Sequence, residues 1–139
     1  MKKVFLTALL FAIALISNAQ IDKILGEWCS VDDKTGEVTG IILFYKGDNG
    51  LYYGKTLHVF ENGKELTDNK YIGMILVKDF KLQDGKLVGG TLYEPHEDKT
   101  YYGTISYNAK DNTLSVRGSL DKRGWLGRTQ TWIKQKKNE

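Results

Sequence analysis

From Glu27 to Ile133 the chain is a succession of short segments in which hydrophobic and polar residues alternate, separated by polar clusters rich in Gly, Asn and Asp. A period of two is the mark of a strand that buries one face. The alternation is clearest near the C-terminus. In Thr113 to Leu120, Leu114 and Val116 point one way while Ser115, Arg117 and Ser119 point the other; in Gly127 to Ile133, Arg128, Gln130 and Trp132 share a face opposite Thr129, Thr131 and Ile133. The DKRG run at 121–124 supplies the turn between them.

Six further segments precede these two: Glu27 to Val31, Val38 to Tyr45, Leu51 to Phe60, Tyr71 to Leu82, Lys86 to Tyr93 and Thr100 to Asn108. Asn49-Gly50 and Asp84-Gly85 suit tight hairpins, because Gly, Asn and Asp accept positive φ. The polar run 61–69 reads as a loop and a candidate mouth or lid. Tyr71 to Leu82 is long enough that Gly73 or the Lys78-Asp79 pair is expected to bend it. Eight strands joined by short connections favour antiparallel neighbours, and closing such a sheet on itself removes both exposed edges. The predicted fold is an all-β, antiparallel up-and-down barrel of about eight strands, whose interior either fills with side chains or holds one small ligand. Gly54, Gly89, Gly90 and Gly103, inside strand patterns, ease the coiling this requires.

The N-terminus follows a different pattern. Lys2 and Lys3 precede an apolar run from Val4 to Ile16 and then Ser17-Asn18-Ala19, the pattern of a cleaved secretory signal peptide. The expected boundaries are a leader at 1–19 and a single barrel domain at 20–139, exported to the periplasm or secreted. The run is too short for a permanent membrane span. A lipoprotein anchor needs a cysteine directly behind the apolar run, and Cys29 lies well past it. Without the leader, 18 cations face 17 anions, which gives no electrostatic footprint for nucleic acid. Cys29 is the single cysteine, so no internal disulfide forms, and a small buried residue in the first strand is the simple reading of it.

Candidate chemistry is sparse. All three arginines and two of the three tryptophans fall within residues 116–132, while the other seventeen cations are lysines spread along the chain. A planar guanidinium suits forked hydrogen bonding or aromatic stacking, so Arg117 and Arg128 look placed. Together they make a candidate fork for a carboxylate or phosphate head group, completed by Tyr101 or Gln130. Tyrosines occupy both faces of their strands, so some face outward or into a wet cavity. Glu94, His96, Glu97 and Asp98 crowd one turn, yet their spacing fits neither an EF-hand loop nor a paired-histidine zinc site, and no metal is assigned. No nucleophile elbow, phosphate-cradling glycine loop or other cofactor motif is present, so no catalytic residue or cofactor is assigned either.

Residues 87–134 resemble the bacterial family known as domain of unknown function 2147. The resemblance rests on Gly90, Tyr93 and Pro95 in a turn, Lys99-Thr100-Tyr101 after it, Arg117-Gly118, and Gly127 to Trp132, with Gly26-x-Trp28 and Tyr53-Gly54-Lys55 as weaker pieces. It implies a small exported protein with a lipocalin-like barrel. Leu87, Glu94, Asp98 and Ser119 depart from the residues usual in that family, which bears on ligand choice if they line a pocket. The Gly-x-Trp opening with an arginine on the last strand also resembles the lipocalin arrangement in which arginine covers the first-strand tryptophan; it implies a structural clamp between Trp28 and Arg128. The functional expectation is an exported barrel binding or carrying a small apolar, amphipathic or anionic molecule. The alternative is an envelope module with a filled barrel that contacts a protein or glycan through outer tyrosines or the 61–69 loop.

Overall fold

The computed structural model describes residues 21–136; the expected leader lies outside them. Within them one helical turn at residues 21–24 leads into nine strands. These are β1 (Gly26–Val31), β2 (Val38–Lys46), β3 (Tyr52–Glu61), β4 (Lys64–Glu65), β5 (Ile75–Gln83), β6 (Lys86–Glu94), β7 (Lys99–Asn108), β8 (Thr113–Ser119) and β9 (Gly127–Lys134). Each long strand pairs antiparallel with its neighbours. Because β1 pairs with both β2 and β9 while β3 pairs with both β2 and β5, eight strands close into a ring, with β4 appended to β3. The predicted antiparallel barrel is therefore present.

Two departures from the sequence reading concern the segment between β3 and β5. Residues 61–69 are not wholly loop. Asn62 and Gly63 have φ of 52° and 78°, the left-handed pair a two-residue hairpin needs, and they return the chain so that Lys64 and Glu65 pair with Glu61 and Phe60. The following strand begins at Ile75 rather than Tyr71. Asn69 and Tyr71 carbonyls accept from Ile72 and Met74 N–H, which winds 69–74 into turns before the strand can start. The expected bend is at Asp79, whose φ of 62° coincides with a register shift between β3 and β5.

Strand direction sorts the connections into two ends. One end holds the N-terminal helical turn, the 47–51 hairpin, the Asp84-Gly85 turn and the 109–112 turn. It is closed. Trp28, Phe44, Phe80, Leu87, Ile105, Leu114 and Trp132 fill it from the strands, and Ile21 and Ile24 cover it from below. Trp28 donates its indole N–H to the Ile24 carbonyl at 2.8 Å, which pins the helical turn to the barrel. Trp28 meets Tyr107 edge to face and Phe44 packs on Trp132. Phe80 lies where Cβ atoms on Gly90 and Gly103 would stand, 2.3 and 2.5 Å from its ring, so two glycines on neighbouring strands make its seat. Full burial of such side chains stabilises by about 1.5 to 3 kcal/mol each.

Cys29 alternates with Trp28 and faces outward, buried beside Ile41 and Gln135, with Sγ donating to Gln135 Oε1 at 3.0 Å. Burial, reinforced by Glu27, pushes its thiol pKa up, which suppresses the thiolate.

Candidate functional site

The other end of the barrel is built from different residues. Its connections are 32–37, 61–74, 95–98 and 120–126. Alternation on β9 places Arg128, Gln130 and Trp132 on the inner face: Trp132 belongs to the core, Gln130 lies one step above it and Arg128 one step higher. Trp132 donates its indole N–H to Gln130 Oε1 at 2.9 Å, so the buried ring fixes the amide. Arg128 pairs with Gly118 of β8, and the Cβ of Tyr101 on β7 lies 3.3 Å from where a Gly118 side chain would begin. The missing side chain at Gly118 is what lets Tyr101 and Arg128 become neighbours across an intervening strand.

Asp33, from the β1–β2 connection, leans over this group. Its Oδ2 accepts from Arg128 Nε at 3.1 Å, and its Oδ1 accepts weakly from Gln130 Nε2 at 3.4 Å. Asp32 shapes that connection by accepting from the Lys34 and Thr35 N–H groups, which together hold its carboxyl pKa down. Tyr101 donates its hydroxyl to Glu97 in the 95–98 turn. That bond lowers the Glu97 pKa and raises that of Tyr101, while Arg128 acts on both by attraction for the anionic forms. Tyr93 donates to Asp98 at 2.6 Å, and its own pKa is pushed up to about 12, chiefly by that bond.

The carboxylates of the 94–98 turn are thus engaged locally. Glu94 accepts from the His96 N–H at 2.8 Å, and Glu97 and Asp98 hold tyrosine hydroxyls. Among the described residues no three His, Cys, Asp or Glu side chains converge in a way that could hold a metal. Across the barrel, Thr56 lies on the inner face of β3, where the 69–74 turns cross it through the Gly73 N–H and Met74 carbonyl. Its Oγ1 is buried and has no hydrogen-bond partner among the described residues.

Three of the expected ligand-binding residues, Arg128, Tyr101 and Gln130, therefore share the inner face at this end, open in the sense that the Arg128 side chain is half-exposed there, and Arg117 does not join them. Arg117 adjoins the core residue Val116 and so turns outward, where its Nε and Nη2 donate to the Gly124 carbonyl at 3.0 and 2.6 Å and its Nη1 donates to Thr129 Oγ1 at 3.2 Å. It tethers the β8–β9 connection. The expected Trp28–Arg128 clamp is also not formed. Pairing of Trp28 with Lys134 fixes the register of β1 on β9, so the cation over the Trp28 ring is Lys134, 4.8 Å from its centroid. Arg128 lies six residues back along β9, roughly 20 Å toward the other end.

Sequence reasoning missed Asp33, Thr56 and Lys134. Lys134 carried a signal, since it continues the Arg128, Gln130, Trp132 face by one more step. Asp33 carried none, because a loop residue's reach depends on the strands it joins.

No curated protein sequence matches this chain. Among solved structures, the fold is similar to that of Helicobacter pylori protein HP1028, described as belonging to the lipocalin family. The TM-score is 0.63 at 20% identity, covering 81% of this chain and 82% of that one, which establishes a shared lipocalin-like fold. No helix among the described residues is long and apolar enough to cross a membrane. Residues 26–134 match the model of the family described as "Uncharacterized protein conserved in bacteria (DUF2147)", and with that span inside it the chain belongs to this family.

Proposed function

We propose that the protein is an exported barrel that binds a small amphipathic or anionic molecule at its open end, with the polar head against Arg128, Gln130 and Tyr101. The observation that carries this reading is the half-exposed Arg128 guanidinium on the inner face, beside Tyr101 and a Gln130 amide fixed by Trp132. A forked cation flanked by a hydroxyl and an amide suits a carboxylate or phosphate oxygen. Asp33 balances the charge until an anion takes its place. Thr56 Oγ1 supports the same reading, because a buried hydroxyl without a partner costs about 1 to 3 kcal/mol, and a ligand polar atom would offset that cost. The packed closed end limits the ligand to the upper half of the barrel.

The test is native against denaturing mass spectrometry of protein purified from its own exporting cell. A bound molecule appears as extra mass lost on denaturation, and the protein itself should begin at Gln20. A mature chain still carrying residues 1–19 would refute export by leader cleavage.

A second reading, a surface interaction module, is favoured by one feature. A groove of about 560 Å³ lies outside the barrel, lined by Cys29, Val38, Ile41 and Phe60 with polar Glu37 and Asn62 at its margin. Wild-type protein that carries no extra mass would direct the search there.

A further inference from the structure

We propose that the β8–β9 connection, residues 120–126, docks the protein onto an anionic lipid surface through this one loop. This inference is independent of the ligand reading above. Leu120, Trp125 and Leu126 are 61%, 76% and 68% exposed, the three most exposed large apolar residues described. Ile72 and Met74, also exposed, stand in the 61–74 connection at the same end of the barrel. A single exposed leucine needs no explanation, but three large apolar side chains on one seven-residue connection do.

The loop is held so that these side chains point away from the core. Leu120 N–H donates to the Leu126 carbonyl at 3.0 Å and Gly124 N–H to the Asp121 carbonyl at 3.2 Å. The Asp121 carboxylate accepts from the Leu126 and Trp125 N–H groups at 2.8 and 3.3 Å and from the Ser119 hydroxyl at 2.6 Å. Arg117 grips the Gly124 carbonyl from the strand side. Backbone polar groups are costly in hydrocarbon unless satisfied internally, and here the N–H groups of Leu120, Asp121, Gly124, Trp125 and Leu126 and the carbonyls of Asp121, Gly124 and Leu126 are paired. The same tethers remove the ordering cost of exposing an apolar tip.

The charges of this loop itself select the partner. The carboxylate of Asp121 is turned inward by its donors, whereas Lys122 and Arg123 stand exposed, with the Arg123 guanidinium 5.4 Å from the Trp125 ring centroid. Tryptophan and leucine flanked by lysine and arginine is the composition that settles at a bilayer interface, apolar groups among the acyl chains and cations at the phosphates.

The test uses vesicles of phosphatidylglycerol and phosphatidylethanolamine, and Trp125 is its own reporter because Trp28 and Trp132 are buried. Wild-type protein should sediment with the vesicles, its tryptophan emission should shift to the blue, and acrylamide quenching should fall. The double variant Trp125→Ser, Leu126→Ser should bind at least tenfold more weakly with an unchanged melting temperature, and Lys122→Glu with Arg123→Glu should lose the preference for anionic vesicles. No wild-type sedimentation, or equal binding by the serine variant, overturns the proposal. So does a wild-type dimer that Trp125→Ser converts to monomer, which would assign the loop to a second copy of the chain.

Discussion

The two ends of this barrel are made by the same strands and differ in what those strands turn inward and in what covers them. On β9 the inner face runs from Arg128 and Gln130 at the open end to Trp132 at the closed end; on β7 it runs from Tyr101 through Gly103 to Ile105 and Tyr107. Large apolar side chains meet at the closed end and leave no room. At the other end Gly118 and polar side chains take the inner face, the Arg128 guanidinium stands half-exposed, and Asp33 from the 32–37 connection leans over it. The closed end holds the barrel together so that the open end can carry groups that contribute little to stability.

That division is broken most severely at Phe80. Phe80→Ala should destabilise by about 3 to 5 kcal/mol, because the seat between Gly90 and Gly103 cannot collapse around a methyl group, and thermal unfolding reads it directly. Gly90→Ala attacks the same contact from the other side. Its Cβ would stand 2.3 Å from the Phe80 ring and 2.4 Å from the Lys78 carbonyl oxygen, and overpacking of this kind costs about 1 to 3 kcal/mol. Lys134→Ala removes the cation over Trp28 and should cost about 0.5 to 2 kcal/mol. Arg128→Ala should cost less than about 1 kcal/mol, since its pair with Asp33 is half-exposed, while abolishing retention of a bound molecule. A melting loss larger for Arg128→Ala than for Lys134→Ala would erase the distinction between the ends.

The smallest effect is a pH dependence confined to the open end. Donors from Ser119, then Leu126 and Trp125, hold the Asp121 pKa near 2 against an ordinary 3.8. A depressed carboxyl favours the folded loop above its ordinary pKa, and that contribution fades as pH falls from about 4 through about 2. Acrylamide quenching of Trp125 should therefore change between about pH 4 and pH 2, before the buried Trp28 and Trp132 respond.

Much of the fold was legible because it rests on local rules. Alternation identified the eight long strands, and Asp-Gly at 84–85 marked its own hairpin through left-handed φ values. The Asn-Gly at 62–63 obeyed the same rule, but a strand as short as β4 has no alternation to detect. The site was legible only in part. Period placed Arg128 and Gln130 with Trp132, and it placed Arg117 opposite Leu114 and Val116; once those two are core, Arg117 has to face out. What local pattern does not encode is register. Which cation covers Trp28 depends on how far β9 slides along β1, and Asp33 meets Arg128 only because closure brings the 32–37 connection over the last strand.

If a small molecule is held by Arg128 above a packed closed end, its retention depends on that one guanidinium. The measurement is native mass spectrometry of wild-type and Arg128→Ala protein, both purified from the cell that makes the protein. Extra mass should appear on the wild type, be lost on denaturation and be absent from the folded variant. Wild-type protein without extra mass, or the same mass on both proteins, would contradict this expectation.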